Sequence, residues 1–330
     1  MHAITYSRFG PAAEVLSLSE LPTPDPGPGE VLVEISHSGV NPSDVKARSG
    51  ARPGVTKPPF DLIIPHSDGA GRIVAVGDGV DSARIGQAVW IWNGQWQRPF
   101  GTAATHISLP AAQAVPLPDG VSPEVGATLG IPGLTAAHAV FGGGDITGQT
   151  LLIQGGAGTV GYLAVQLARC GGAKVIATAR SAGLERCAQA GAHHVVDFSA
   201  NDVAGRILAA NGGQPVDRII EVEYGLNAAT DAEVIAPNGT ICAFGSALEM
   251  TPTVPFGPML FKAVTLDIIL IYILADAPRA AAIQRLHDAL TAGALDSPIA
   301  HRFDLADCHL AHEAVAHGAR DGSILLKIAP

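Results

Sequence analysis

The sequence predicts an α/β protein with two domains: a small, partly closed β-barrel, and a doubly wound parallel sheet. Three observations point there: a change of rhythm near residue 118, strand–helix alternation beyond it, and one glycine-rich turn between a strand and a helix. The length of 330 residues fits two domains of roughly 150 residues each.

Composition narrows the class. The chain is 47% hydrophobic and only 15% charged, which is too apolar for disorder. A mean hydropathy of +0.28 raises the question of a membrane span. The longest apolar run, Ile268–Ala275, is far shorter than the roughly 20 residues a span requires. Met1-His2-Ala3-Ile4-Thr5 has neither the basic nor the apolar part of a secretion signal. Cys170, Cys187, Cys242 and Cys308 lack CxxC spacing and suit free thiols in a reducing cytoplasm. A net charge of −10 without a basic run disfavours nucleic acid as a partner. The expectation is a cytoplasmic protein with no membrane or nucleic-acid partner.

The elements follow in order. Pro22–Gly29 cannot be helix, because proline fixes φ and removes donors. Val31, Val33 and Ile35 alternate as in a strand. Gly71–Val76 reads as a strand entering a tight turn at Gly77–Gly79, and Ala88–Trp92 as another. Ser122-Pro123-Glu124 opens a helix, with Ser122 as N-cap and proline at the first helical position. From Thr150, strands at 151–154, 174–179, 195–196, 218–222 and 240–244 alternate with helices at 160–170 and 181–190, the latter capped by Ser181. Such alternation implies a parallel sheet covered by helices. A strand over Ile268–Leu274, a helix over Pro278–Leu290 and a closing strand over Gly322–Ile328 complete the chain.

Gly156-Ala157-Gly158-Thr159-Val160-Gly161 forms G-x-G-x-x-G directly after the strand 151–154. This spacing provides a tight turn at the first glycine, close backbone approach to a pyrophosphate at the second, and helix–strand packing at the third. Free N–H groups and the helix dipole then hold the phosphates. The strand–turn–helix context favours dinucleotide binding over a glycine turn used only for packing. An NAD site places a carboxylate about 20 residues further on. Here the region reads Ala177-Thr178-Ala179-Arg180-Ser181. Arg180, with Ser181 and Arg186 nearby, points to the 2′-phosphate of NADPH. The alternative is a solvated arginine after a strand.

Several blocks carry a resemblance. Gly148-Gln149-x-x-Leu152 with the glycine loop and Gln166-x-x-Arg169 resembles the signature of the zeta-crystallin-like quinone oxidoreductases, in the medium-chain dehydrogenase/reductase superfamily. Ser38–Asp44, Arg48-Ser49-Gly50, Ile131–Ala136 and Gly191-Ala192-His193 resemble further family blocks, in order. The resemblance implies a GroES-like β-barrel catalytic domain built from both chain ends, with a Rossmann doubly wound parallel-sheet nucleotide-binding domain between. The expected divisions are 1–118, 119–273 and 274–330. It also implies a homodimer, with Ile268–Leu274 as a candidate pairing strand; a strand internal to the protomer is the other reading.

The resemblance further implies the site. Asn41 lies near the nicotinamide ribose or substrate, and Thr135 near the nicotinamide amide. Phe244, Gly245 and Ser246 close a strand on the nicotinamide side. Lys46 stands where many relatives carry tyrosine. It either polarises a substrate carbonyl or is simply solvated. Trp92, Trp96 and Phe100 form either a flat pocket for a quinone ring or barrel packing, and Trp90 belongs to the packing. Asp44 and Arg48 read as a buried pair supporting the loop. Glu223 has no evident role.

Zinc-dependent relatives carry cysteine where Asn41 stands and His-Glu where Ser67-Asp68 stand, so no metal and no zinc is expected. His309, His312, Glu313 and His317 lack zincin order and read as an ordinary helix. The leading expectation is NADPH-dependent reduction of a quinone. Reduction of an activated C=C bond is the alternative, with Arg98 the candidate to bind an acrylate carboxylate. A non-enzymatic, crystallin-like NADPH-binding protein is a third reading.

Overall fold

The computed structural model describes residues 1–51, 54–318 and 320–328. They divide into two units, one of Met1–Ile131 with Ser297–Pro330, the other of Pro132–Asp296.

In the first unit β1 (His2–Thr5) and β2 (Ser17–Glu20) pair antiparallel around the short α1 (Ala12–Val15). β3 (Glu30–Val40) is the hub, followed by α2 (Pro42–Ser49) and β4 (Asp68–Val76). β4 runs antiparallel along β3, and β5 (Ala88–Ile91) pairs beyond β4. β6 (His106–Pro110) returns to the other edge of β3, and β7 (Ala114–Pro116) pairs β5. Register shifts between Leu32 and Val33 and between Ile35 and His37 bend β3 and curl the sheet. Val31, Val33 and Ile35, alternating as read from the sequence, bury against Ile73, Val89, Ile91, Ile107 and Leu109. The short α3 (Pro123–Gly126) is capped as expected, with the Val125 N–H donating to Ser122 Oγ at 3.3 Å.

The second unit begins with α4 (Leu134–Phe141) and β8 (Thr150–Ile153). The alternation continues through α5 (Thr159–Cys170), β9 (Lys174–Ala179), α6 (Gly183–Gln189), β10 (His194–Asp197), α7 (Val203–Ala210) and β11 (Val216–Glu221). α8 (Tyr224–Val234), β12 (Ile235–Ala243), α9 (Phe256–Phe261), β13 (Thr265–Ile268) and α10 (Asp276–Thr291) follow. All six strands are parallel, in the order β10-β9-β8-β11-β12-β13. With β8 as first strand this is the doubly wound order 3-2-1-4-5-6, whose switch point lies between β8 and β11. Leu152, Ile176, Ile219 and Ile241, one from each central strand, share one buried layer. The chain then returns to the first unit as β14 (Ile299–Asp304), α11 (Cys308–His317) and β15 (Ser323–Lys327), with β15 antiparallel to the end of β3.

Four local expectations change. The strand expected over Ile268–Leu274 stops at Ile268, because β12 ends opposite it at Ala243, and a 3-10 turn over Ile271–Ile273 follows. Ser181 adopts φ +52° and does not cap α6, which starts at Gly183 without a side-chain cap. The units divide after Ile131 and Asp296 rather than after 118 and 273. α10 belongs to the nucleotide unit because Ala282, Leu286, Ala289 and Leu290 form one buried face packed on α4 and α5.

Ile219→Ala should cost about 2–5 kcal/mol, the usual range for emptying a fully buried site. Urea unfolding followed by circular dichroism measures this.

Candidate active site

The sharpest geometry lies at the C-terminal end of β8, at the switch point of the sheet. Gly155 takes the left-handed turn, with φ +65°. The motif spacing assigns that role to Gly156, which instead packs: a Cβ there would stand 2.9 Å from Ala177 Cβ and 3.0 Å from Cys187 Sγ. At Gly161 a Cβ would meet the Gly155 carbonyl oxygen at 2.3 Å, so only glycine lets α5 start this close to the strand. Gly158, exposed, is the N-cap. The first N–H groups of α5, at Thr159, Val160 and Gly161, have no acceptor within the helix. With the positive helix end and Ala157 alongside, they form an anion cradle.

A buried polar chain holds this turn from behind. The Gly155 N–H donates to Thr178 Oγ1 at 3.1 Å, and that hydroxyl donates to Gln154 Oε1 at 2.7 Å. Gln154 Nε2 donates to Asp231 Oδ1 at 2.9 Å. Asp231 in turn is hydrogen-bonded to Glu221, and burial raises both carboxyls, Asp231 the more, so the pair retains a proton. Glu221 accepts from Asn227 Nδ2 at 3.1 Å and from the Glu223 N–H. No motif in the sequence assigns Gln154, Thr178, Asn227 or Asp231 a role. The one available signal was polar Gln154 closing an otherwise apolar strand.

At the end of β9, Arg180 and Ser181 are exposed and no carboxylate stands beside them in sequence. The Arg180 guanidinium lies 5.9 Å from the centroid of the Phe198 ring. Arg186 is spent elsewhere: Nε donates to the Ala157 carbonyl at 2.9 Å, and the guanidinium stacks 4.3 Å over Tyr162. It therefore braces the glycine loop.

Phe244, Gly245 and Ser246 leave β12 half-buried. Ser246 Oγ accepts the Gly225 N–H at 2.8 Å and donates to the Glu249 carbonyl. Glu223 acquires a role here. Its carboxylate accepts from the N–H groups of Ala247, Leu248 and Glu249 at 2.8, 2.9 and 3.3 Å, pinning the turn after Ser246. Thr135 is buried in the first turn of α4.

In the first unit Asn41 ends β3 and precedes α2. Its N–H donates to Asp44 Oδ2 at 2.7 Å, and its Nδ2 donates to Asp68 Oδ2 at 2.8 Å. The same Asp68 oxygen accepts the Ile131 N–H at 3.0 Å. Asp68 is fully buried, which pushes its carboxyl up to about 8, with the Asp44 charge adding to the rise. Two donated hydrogen bonds oppose the shift without cancelling it. Gly130 makes room for this carboxyl, since a Cβ there would lie 2.1 Å from Asp68 Oδ1. Arg48 is also buried and donates to the Gly10 carbonyl.

Lys46 is exposed on α2. Trp92 and Trp96 are half-buried and Phe100 is exposed, whereas Trp90 is fully buried in the barrel wall. Arg98 is half-buried, with Nη2 on the Ser108 carbonyl and the Glu30 charge nearby. In α11 the four residues weighed as a cluster separate: His312 is buried, His309 half-buried, and Glu313 and His317 exposed.

The family described as alcohol dehydrogenase GroES-like domain matches residues 27–119, and zinc-binding dehydrogenase matches 159–286. The quinone oxidoreductase of Rattus norvegicus is 32% identical over 259 residues, covering 76% of each chain. The chain belongs to the quinone oxidoreductase-like medium-chain dehydrogenases/reductases. A Pseudomonas aeruginosa quinone oxidoreductase is 30% identical over 330 residues, covering 98% of each chain. A mycobacterial structure described as complexed with NADPH superposes with a TM-score of 0.86 at 28% identity, over 99% of this chain and 100% of that one. The GroES-like and Rossmann reading of the two units stands, and the protein is an oxidoreductase of the medium-chain type. Among the described residues no helix is long and apolar enough to cross a membrane.

The zinc of the family name does not fit the Asn41 position of this medium-chain reductase. Asn41 directs its amide nitrogen, a donor, at Asp68, and the neighbouring Ser67 offers neither thiolate nor imidazole.

Asp68 makes a pH prediction. Its folded-state carboxyl sits near 8 against an ordinary 3.8, so between these values the folded chain holds a proton that the unfolded chain has lost. Stability should therefore fall as pH rises through that window, by at most about 1.4 kcal/mol per pH unit. Across pH ~6.5 to ~8, histidines buried neutral add an opposite slope that fades above pH ~7.5 and is common to parent and variant. The fall in melting temperature across that interval should be smaller in Asp68→Asn than in the parent.

Proposed function

We propose that this chain is a zinc-independent reductase that transfers hydride from NADPH to a quinone. The observation that carries the cofactor choice is the exposed Arg180-Ser181 at the end of β9, where an NAD site needs a carboxylate. The mycobacterial relative's complex with NADPH supports the same reading.

The N–H groups of Ala157, Thr159, Val160 and Gly161 line the pyrophosphate position, Gly158, whose N–H bonds the Gly155 carbonyl, lets the phosphates approach the backbone, and Arg180 with Ser181 pairs the 2′-phosphate. Thr135, Phe244, Gly245 and Ser246 flank the nicotinamide end. The bound cofactor supplies the hydride. Asn41, oriented by Asp68 and Asp44, offers its second amide hydrogen to the nicotinamide ribose or to the substrate oxygen. Trp92, Trp96 and Phe100 offer ring faces to a flat quinone, and Lys46 has the freedom to donate to the reduced oxygen. Quinones suit a site without a Lewis acid because they already accept electrons. Arg98 has Nη2 on the Ser108 carbonyl and the Glu30 charge nearby, a setting that disfavours an acrylate carboxylate.

The protein forms a homodimer in this reading. β13 is the outer strand of the sheet, and around it Phe261, Ile268 and Ile273 are 91%, 76% and 66% exposed. A second copy pairing there removes both the open edge and the apolar surface.

Turnover of benzoquinone, phenanthrenequinone and methyl vinyl ketone with NADPH and with NADH tests the activity. Quinone-dependent oxidation that prefers NADPH is expected, and turnover of the enone alone would reassign the protein to C=C reduction. Arg180→Ala should raise KM for NADPH about tenfold or more, the loss of one charge-assisted contact, while KM for NADH stays constant. Sedimentation should show a dimer that Ile268→Asp converts to monomer.

A further inference from the structure

His66, Cys308 and His312 come from distant parts of the sequence and meet inside the first unit, all fully buried. His66 Nε2 faces His312 Nε2 at 2.9 Å, and Cys308 Sγ lies 3.9 Å from His66 Nε2. All three donor atoms fall within 4.8 Å of one another. His66 is held there with φ +77°, a backbone that non-glycine residues rarely adopt. Cys308 and His312, four apart on α11, project from the same face of the helix.

The hydrogen bonds fix the His66 tautomer. Thr102 Oγ1 donates to the Asp68 carbonyl at 2.6 Å, and the Ser38 hydroxyl donates to Thr102 Oγ1 at 2.8 Å or to the same carbonyl at 3.5 Å. Ser38 Oγ then accepts from His66 Nδ1–H at 2.9 Å. That leaves the His66 Nε2 lone pair aimed at His312, with a hydroxyl acceptor behind the ring, as ligating histidines usually have. Burial also keeps both rings neutral, His312 at about 3. Among the described residues, none holds His312 through its other nitrogen: Nδ1 is buried without a hydrogen-bond partner.

We infer that His66 Nε2, His312 Nε2 and Cys308 Sγ form a buried three-coordinate site for a single copper(I) ion, separate from the Asn41 position. Thiolate with imidazole is a soft donor set. One thiolate and two neutral imidazoles leave copper(I) with no net charge, whereas zinc would leave one uncompensated positive charge in a dry interior. Cys308 opens α11, where the helix dipole and the nearby Arg48 charge favour the thiolate that burial otherwise resists. On binding, the Cys308 proton leaves to solvent, and the His312 proton shared with His66 moves to Nδ1. With metal–nitrogen bonds of about 2.0–2.1 Å, the two imidazoles separate from 2.9 Å to about 3.3–3.6 Å. Because the site is closed, the ion enters as the chain folds or as α11 opens.

The test uses the full chain carrying Cys170→Ser, which removes the exposed competing thiol. Copper(I) is added anaerobically against a chromogenic copper(I) chelator, once to the native protein and once during refolding. One equivalent should be retained by at least one route, with X-ray absorption showing two nitrogens and one sulfur. Cys308→Ala and His312→Gln should each lower retention at least tenfold while circular dichroism and NADPH binding stay at parent level. Copper(I) retained equally by a folded Cys308→Ala variant, or by neither route in the parent, would overturn the proposal. So would retention of zinc with rejection of copper(I).

Discussion

One buried carboxyl group ties the first unit together. Asp68 starts β4, accepts the side-chain amide of Asn41 from the end of β3, and accepts the backbone N–H of Ile131, where that unit ends. Desolvation makes an anion so costly there that the group keeps its proton near neutrality. The same oxygen orients Asn41, and the Asp44 carboxylate fixes its backbone. Gly130 has no side chain because Asp68 occupies that space.

The nucleotide unit solves a related problem by other means. A glycine turn strips its backbone of side-chain support, so Thr178 and Gln154 supply it from beneath, and the Asp231–Glu221 pair anchors Gln154. Arg186 closes over the same loop from outside, on the Ala157 carbonyl. Glu223 does comparable work at the next strand end by gathering three successive N–H groups. In each place a charged or polar side chain holds backbone still, which leaves the exposed N–H groups and Arg180 for a ligand.

Much of this was legible in the chain. Hydrophobic alternation located the first half of β3, short apolar runs located β5 and β9, and the glycine spacing located the phosphate loop. Errors arose where local signals were ambiguous. Ser181 has the chemistry of a helix cap but sits in a left-handed turn, and Ile268–Leu274 has strand composition but loses its partner after Ile268. Gly155 and Gly156 differ only in position, and packing against Ala177 and Cys187 decided which one turns.

The sequence by itself determined the order of elements, the phosphate-binding loop and the absence of a carboxylate after β9, because each is a pattern among neighbours in the chain. Only the tertiary structure decided which polar residues act together. Asp68 with Ile131, Gln154 with Asp231, and His66 with His312 are separated by 63, 77 and 246 positions. No local periodicity registers such pairs. They form because strand pairing and helix docking bring them into the same dry interior, where an unpartnered polar group is too costly to leave alone.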